Sequence, residues 1–401
     1  MRLRTILAPL AAAAVVGASG CAFITKLTTV GGADAAAFTV DMEKYDVKSI
    51  SIATKAGETL CPGDKIGLQI LADAVERKKS KSVTLETASH KASANDARGK
   101  MDPTEFAMAG RGGAVKDGVF ATTGNPFAVL MGFDIKATYR LDSKIETVRH
   151  FAPEYSCFTA IGVAGRHGSR GSMGPQGGAG GGAGGRGGPG EPGGPGPRLM
   201  AAATIIQTPL YERVGLIRVT GAGDQMTLFD LDKGITVVAS GGAGGSGGTG
   251  GRGGVGQKPE GAGGPGGPGG DGAPGGDGGE ILLILDERYP ELAEAVGINV
   301  GGGMGGGAGM GGSGGSGAPA YKPCTDCKMI PAGQNGSGGP SGRSSSADGR
   351  AGTAEVRRGD VSEYFPTLEP GLRMRDDPRP QPEPEPEPPK KKGKRSKVAA
   401  R

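Results

Sequence analysis

Cys324-Thr325-Asp326-Cys327 is the one CxxC of the sequence. Two sulfurs at that spacing can exchange a disulfide or supply half of a zinc site. Neither use is supported by what surrounds them. A thioredoxin-like redox site needs a βαβ pattern around the motif, and a zinc tetrahedron needs a second cysteine pair or a nearby histidine. His90, His150 and His167 are scattered without an i,i+4 partner, which speaks against a metal or nucleophile–base role. No Asp-x-Asp-x-Asp-Gly run suits calcium, and no GxxxxGK[ST] turns a glycine-rich run into a phosphate loop. The expectation is a non-enzymatic protein with no catalytic residue, no metal and no cofactor.

One cluster could make contacts of another kind. Lys390, Lys391, Lys392, Lys394 and Arg395 form a candidate polyanion contact, for surface polymers, lipopolysaccharide or lipid headgroups. Its bland alternative is a solvated tail that aids solubility. Formal net charge is +5, and Lys397 and Arg401 add to the same tail, so the basic balance belongs to the C-terminus. It gives no reason to invoke nucleic acid for the body of the protein.

What must position any such groups is glycine. Glycine makes up 82 of 401 residues and aromatics 4%, with no Trp, so much of the chain cannot build an apolar core. From about Gly174 to Gly317 it falls into a three-residue phase. Four blocks of equal length result: 181–198, 241–258, 263–280 and 301–318. Flexible linkers have no reason to hold phase or share a length. A collagen reading needs three chains and high imino content, which block 241–258 lacks. A polyglycine-II bundle of three-residue-per-turn helices fits best, because only glycine lets neighbouring backbones approach closely enough to pair. At about 3.1 Å per residue each block spans roughly 55 Å, and Pro259-Glu260-Gly261-Ala262 is a hairpin candidate. Third-position residues such as Ala183, Arg186, Thr249, Asp271, Met304 and Met310 are then expected to be exposed. A monomer is favoured over a trimer.

Apolar material for ordinary cores is confined to two regions. Over 43–165, period-two patterns recur between turn signals, most clearly from Phe133 to Leu141, and the alternation Tyr155, Cys157, Thr159, Ile161 closes the set. These short half-buried strands predict an antiparallel β-sandwich resembling an immunoglobulin-like domain, without its Trp. Residues 166–320 are read as a β-rich domain whose loops are the glycine blocks, with Ile281–Leu285 a buried strand and Pro290–Val296 a short helix. Order is expected to end after Ala320. The predicted fold is therefore mainly β, with a disordered tail over 321–401.

The first twenty residues read as a targeting segment, with Arg2 and Arg4 before the apolar run Ile6–Val16 and Ala18-Ser19-Gly20 before Cys21. This arrangement resembles a bacterial lipoprotein lipobox; an ordinary secretory peptide is the alternative. The resemblance implies cleavage before Cys21 and lipidation of its thiol, and 21–42 then tethers the chain to the membrane. Ala22 at the next position implies, by the same resemblance, the outer membrane. With Cys21 so used, the remaining cysteines partition as Cys61 with Cys157 and Cys324 with Cys327, consistent with an oxidising compartment. Taken whole, the chain resembles the Gly-rich, collagen-like surface lipoproteins of Gram-negative bacteria. That implies a structural spacer or an adhesion or matrix-contact protein of the cell envelope, with surface polysaccharide as a candidate partner. A carbohydrate- or polymer-binding sandwich and an ice-binding surface are the other classes considered.

Overall fold

The computed structural model describes residues 40–89, 94–345 and 347–374. The segment 1–20, most of the tether, Cys21, His90 and the Lys390–Arg395 cluster lie outside the described residues. The chain is mainly β, 34% strand against 6% helix, and its ladders carry the cores.

Ten strands build the first unit: β1 (Tyr45–Ala53), β2 (Thr59–Leu60), β3 (Lys65–Gly67), β4 (Gln69–Glu76), β5 (Lys81–Glu86), β6 (Phe106–Arg111), β7 (Gly113–Lys116), β8 (Val119–Thr122), β9 (Phe133–Tyr139) and β10 (Glu146–Pro153). They form three sheets, ordered β1-β4-β5, β2-β10-β9-β6 and β3-β8-β7. Alternation decides which side chains meet. In β9, Phe133, Ile135, Ala137 and Tyr139 are buried while the residues between them face outward. Ile50 and Ile52 of β1, Ile70 and Ala72 of β4 and Phe106 of β6 join them in one core. Leu141, the fifth apolar position of the predicted pattern, lies beyond the end of β9 and is 63% exposed.

The predicted closing strand over Tyr155–Ile161 does not form in this unit. Residues 156–157 turn, and only β11 (Ala160–Gly162) is extended. It pairs in parallel with β15 (Ile235–Val238), so it belongs to the second unit and the boundary falls near 154–159, not at 165. Period two marked the apolar positions but not the partner.

The second unit adds β12 (Arg198–Gln207), β13 (Val214–Thr220), β14 (Gln225–Phe229), β16 (Glu280–Asp286), β17 (Val296–Asn299), β18 (Thr353–Gly359) and β19 (Arg373–Met374). One sheet is the parallel trio β11-β15-β17. The other runs β14-β13-β12-β16-β18, with β19 on β12. Within it β12, β16 and β18 are parallel neighbours. Ala201, Ala203 and Ile205 of β12 face one core with Val237 and Leu283, and Ala202 and Ile206 face another with Leu228, Phe365 and Met374. Burial on both faces is why 199–206 reads as an apolar run interrupted only by Thr204, itself buried. Ile281–Leu285 lies within β16 and a single helical turn covers Leu292–Ala295, both close to expectation.

Order does not end at Ala320. Residues 353–359 are the strand β18 on β16, and Val361, Phe365, Leu372 and Met374 are buried. The low apolar content that suggested disorder is that of an edge strand with a mostly exposed pattern.

Candidate functional site

The described fold brings no catalytic constellation together, and among the described residues no group of three or more His, Cys, Asp or Glu could hold a metal ion. No described helix is long and apolar enough to cross a membrane. Interest therefore falls on the glycine-rich segments and what they carry.

Six extended rows project from the two sheets of the second unit: row 1 (163–178), row 2 (182–197), row 3 (239–257), row 4 (261–279), row 5 (300–318) and row 6 (331–345 and 347–352). Every third amide of row 1 donates to row 3, as in Gly168 N to Ala243 O and Gly171 N to Ser246 O. Row 3 donates to row 5 in the same manner, Gly244 N to Met304 O and Gly250 N to Met310 O. Rows 2, 4 and 6 repeat this, with Gly187 N to Pro268 O and Gly266 N to Ser337 O. In rows 2, 3 and 4 a second amide of most triplets crosses between the layers to an antiparallel row, as in Gly248 N to Gly188 O and Gly270 N to Gly248 O. Bonds between rows measure 2.7–3.1 Å, normal for N–H···O. The amide of the third residue is not needed by the lattice. That is where proline can sit without losing a bond, as Pro189, Pro192, Pro265, Pro268 and Pro340 do.

Row order follows from the sheets. β11, β15 and β17 lead directly into rows 1, 3 and 5, and rows 2, 4 and 6 lead directly into β12, β16 and β18, in the same lateral order. Each pair of rows is thus an out-and-back excursion, so all three turns lie at the end remote from the sheets. Close approach explains the residue type. A Cβ on Gly248 would stand 1.8 Å from Ser172 O, and one on Gly270 1.9 Å from Gly188 O. Rows 1 and 6 are at the edges and need one glycine per triplet, which is why no GGX block marks them.

The three tips differ. Residues 178–181 and 258–260 are tight turns; the second holds Pro259 and Glu260 of the predicted hairpin and a cis Lys258–Pro259 bond, while Gly261 and Ala262 already belong to row 4. Residues 319–332 form a longer loop, where Tyr321 and Ile330 pair their backbones and Cys324 and Cys327 are bridged. Lys258 Nζ lies 4.4 Å from the centre of the Tyr321 ring, tying two tips together. Met329 there is 66% exposed. The CxxC is thus a loop brace at a remote end, with no histidine beside it.

The other predicted residues are spread. Cys61 and Cys157 are bridged in the first unit, Cα atoms 6.2 Å apart. His150 Nδ1 meets Asp134 at 2.7 Å on an exposed face, and His167 Nδ1 accepts from Ala243 N at 3.0 Å on row 1. Asp286 is buried, and although burial alone raises its carboxyl, Arg288 and the Thr204 hydroxyl hold it below the usual range. It closes β16 structurally.

Tyr155 sits at the junction of the units. Its ring meets Tyr211 edge-on at 5.9 Å, and the Tyr211 hydroxyl donates to Pro153 O at 2.8 Å. Burial pushes both phenols up, Tyr211 to about 12. The Tyr155 hydroxyl is buried with no hydrogen-bond partner among the described residues. Tyr155→Phe keeps the packing and removes a desolvated donor, so thermal unfolding should show a gain of about 1 kcal/mol. A loss of similar size would refute the unpartnered state.

Comparison with protein-family models, with characterised proteins and with solved structures finds no match to this chain.

Proposed function

We propose that the six rows are a polyglycine-II bundle and that the protein is a non-enzymatic envelope lipoprotein using it as a rigid arm. The observation that carries this is the common end of the three tips. Rows of about 16 to 19 residues at about 3.1 Å per residue give roughly 50–60 Å between the sheets and the tips. A flexible linker of equal length would have a far shorter mean span and no fixed end. The arm is a spacer, and the braced 319–332 loop is what it presents for adhesion or matrix contact. Most glycine amides of rows 2 to 4 already find acceptors on other rows of the same chain, which favours the bundle over a collagen trimer. Short, mostly antiparallel strands in sheets that share one core support an immunoglobulin-like sandwich for the first unit, carried beside the anchor.

Two measurements on the full-length protein test the reading. Backbone hydrogen exchange should be slow at Gly248, Gly251, Gly267 and Gly270, and exchange at the unfolded rate would reduce the arm to linkers. Cys21→Ser should abolish labelling by radioactive fatty acid and release the protein from the membrane fraction. Unlabelled wild-type protein would remove the anchor from the proposal.

A further inference from the structure

The two faces of the arm differ in chemistry, and chain order hides it because the layers alternate in sequence. Rows 1, 3 and 5 contain no Asp or Glu, yet they carry Arg166, Arg170 and Arg252. In rows 2, 4 and 6, Glu191, Asp271, Asp277 and Asp348 accompany the arginines. Three of those carboxylates are engaged: Asp271 meets Arg186 at 2.8 Å, Asp277 accepts from Arg350 N at 2.8 Å, and Asp348 at the edge accepts from Gly305 N of row 5 at 2.7 Å. On the acid-free layer Arg170 reaches only the Thr249 hydroxyl, at 3.2 Å, and neither Arg170 nor Arg252 forms an ion pair with a described residue. Exposed apolar groups segregate the same way. Met173, Val255, Met304 and Met310 are 75%, 50%, 73% and 67% exposed, and all belong to rows 1, 3 and 5. The proline-bearing layer has no exposed large hydrophobic residue among those described.

The equivalence of hydrogen-bonding slots places Arg170, Met173, Arg252, Val255, Met304 and Met310 on one outer face. A flat backbone cannot fold those side chains away, and cations with no carboxylate among them repel a second copy of the same face. We propose that this face docks on an anionic lipid bilayer. Arginines without carboxylate partners complement anionic headgroups, each contributing most within a Debye length of the surface. The methionines and valine favour the headgroup–acyl boundary over a hydrated polysaccharide, and unbranched Met side chains adapt to it. The arm then lies along the lipid surface, with its proline face outward. The inference goes beyond the spacer reading and rests only on its row geometry.

The test uses the full chain carrying Cys21→Ser, so that no acyl chain contributes. An environment-sensitive fluorophore is placed at Met310→Cys or, on the opposite face, at Pro265→Cys. Vesicles of phosphatidylcholine with phosphatidylglycerol should blue-shift the first label and shield it from an aqueous quencher, while leaving the second unchanged; phosphatidylcholine alone should do neither. Arg170→Gln with Arg252→Gln should weaken vesicle binding about thirtyfold, from ~1 kcal/mol per basic residue near an anionic leaflet. Absence of a Met310 shift despite binding would assign the contact to the lysine tail and overturn the proposal. Equal shifts at both sites, no vesicle binding, or binding to an anionic polysaccharide alone would overturn it as well. Hydrogen exchange on the same samples separates the failures: protected rows without a Met310 shift sink the docking alone, and unprotected rows sink the arm with it.

Discussion

Gly270→Val is expected to break the middle of the arm. Its amide donates to Gly248 O at 2.8 Å and its carbonyl accepts from Gly309 N at 2.9 Å, so two neighbouring rows are joined through it. A Cβ there would stand 1.9 Å from Gly188 O and 2.6 Å from the carbon of that carbonyl. Both obstacles are backbone, so no side chain can turn aside; row 2 must move away from row 4. Leaving two or three buried amides or carbonyls unpaired costs about 1–3 kcal/mol each, so the loss should be roughly 3–6 kcal/mol. Ala273 shows that the lattice admits a single methyl in an equivalent slot, with its bond to Gly245 O stretched to 3.0 Å against 2.8 Å for Gly270 and Gly276. Valine, branched at that carbon, is the substitution that discriminates. Ser246→Val in a third-position slot is the control, and should change stability by no more than about 0.5 kcal/mol. Hydrogen exchange in rows 2 to 5 reads the difference. Wild-type protection in Gly270→Val would mean that the close approach is not what holds the rows.

The same geometry explains what could be read beforehand. Rows 2 to 4 use two amides of most triplets for neighbours and row 5 brings two glycines of most triplets against neighbouring backbones, so they write GGX into the sequence, and all four GGX blocks fall on rows 2 to 5. The in-phase glycines of row 1 are Gly165, Gly168, Gly171, Gly174 and Gly177, and those of row 6 are Gly333, Gly336, Gly339 and Gly342 before its phase shifts to Gly349 and Gly352. One glycine in three looks like a polar loop. Its phase, not its density, was the available signal.

The sheet order was not legible. β11, β15 and β17 are separated in sequence by the rows themselves, and nothing local to Ile161, Val237 or Ile298 states that they are neighbours. The facial segregation of charge was hidden for the same reason. Arg252 and Asp271 are close in sequence, yet only the antiparallel step between rows 3 and 4 puts them on opposite faces. Lys258 over Tyr321 is a contact between tips of different excursions, with no sequence signal. Cys61 and Cys157, by contrast, are the expected pair once the lipobox resemblance sets Cys21 aside and Cys324 and Cys327 are paired as neighbours.

Replacing that pair, as Cys61→Ser with Cys157→Ser, should lower the stability of the first unit by about 2–5 kcal/mol. The bridge joins residues 96 apart, so it restricts the unfolded chain far more than the folded one. In the folded state its neighbourhood is already closed. β2 pairs in parallel with β10 at Ala152–Thr59 and Pro153–Leu60, and Glu154 N donates to Leu60 O at 2.8 Å. Hydrogen bonds from Ser156 and Thr59 hold the Glu154 carboxyl below the usual range. The native ladder should therefore survive without the sulfurs. Urea unfolding should give a lower midpoint and a steeper dependence on denaturant, because a chain freed of its cross-link exposes more surface. The Cys324–Cys327 bridge spans 3 residues of separation, and by the same logic its loss should cost only about 2 kcal/mol, read at the tip as faster exchange near Tyr321. An unchanged urea midpoint after loss of the Cys61–Cys157 bridge would show that the unfolded chain is already held compact by other contacts. Loss of protection in the glycine rows at the lowered midpoint would show instead that the Tyr155–Tyr211 junction makes the two units unfold as one.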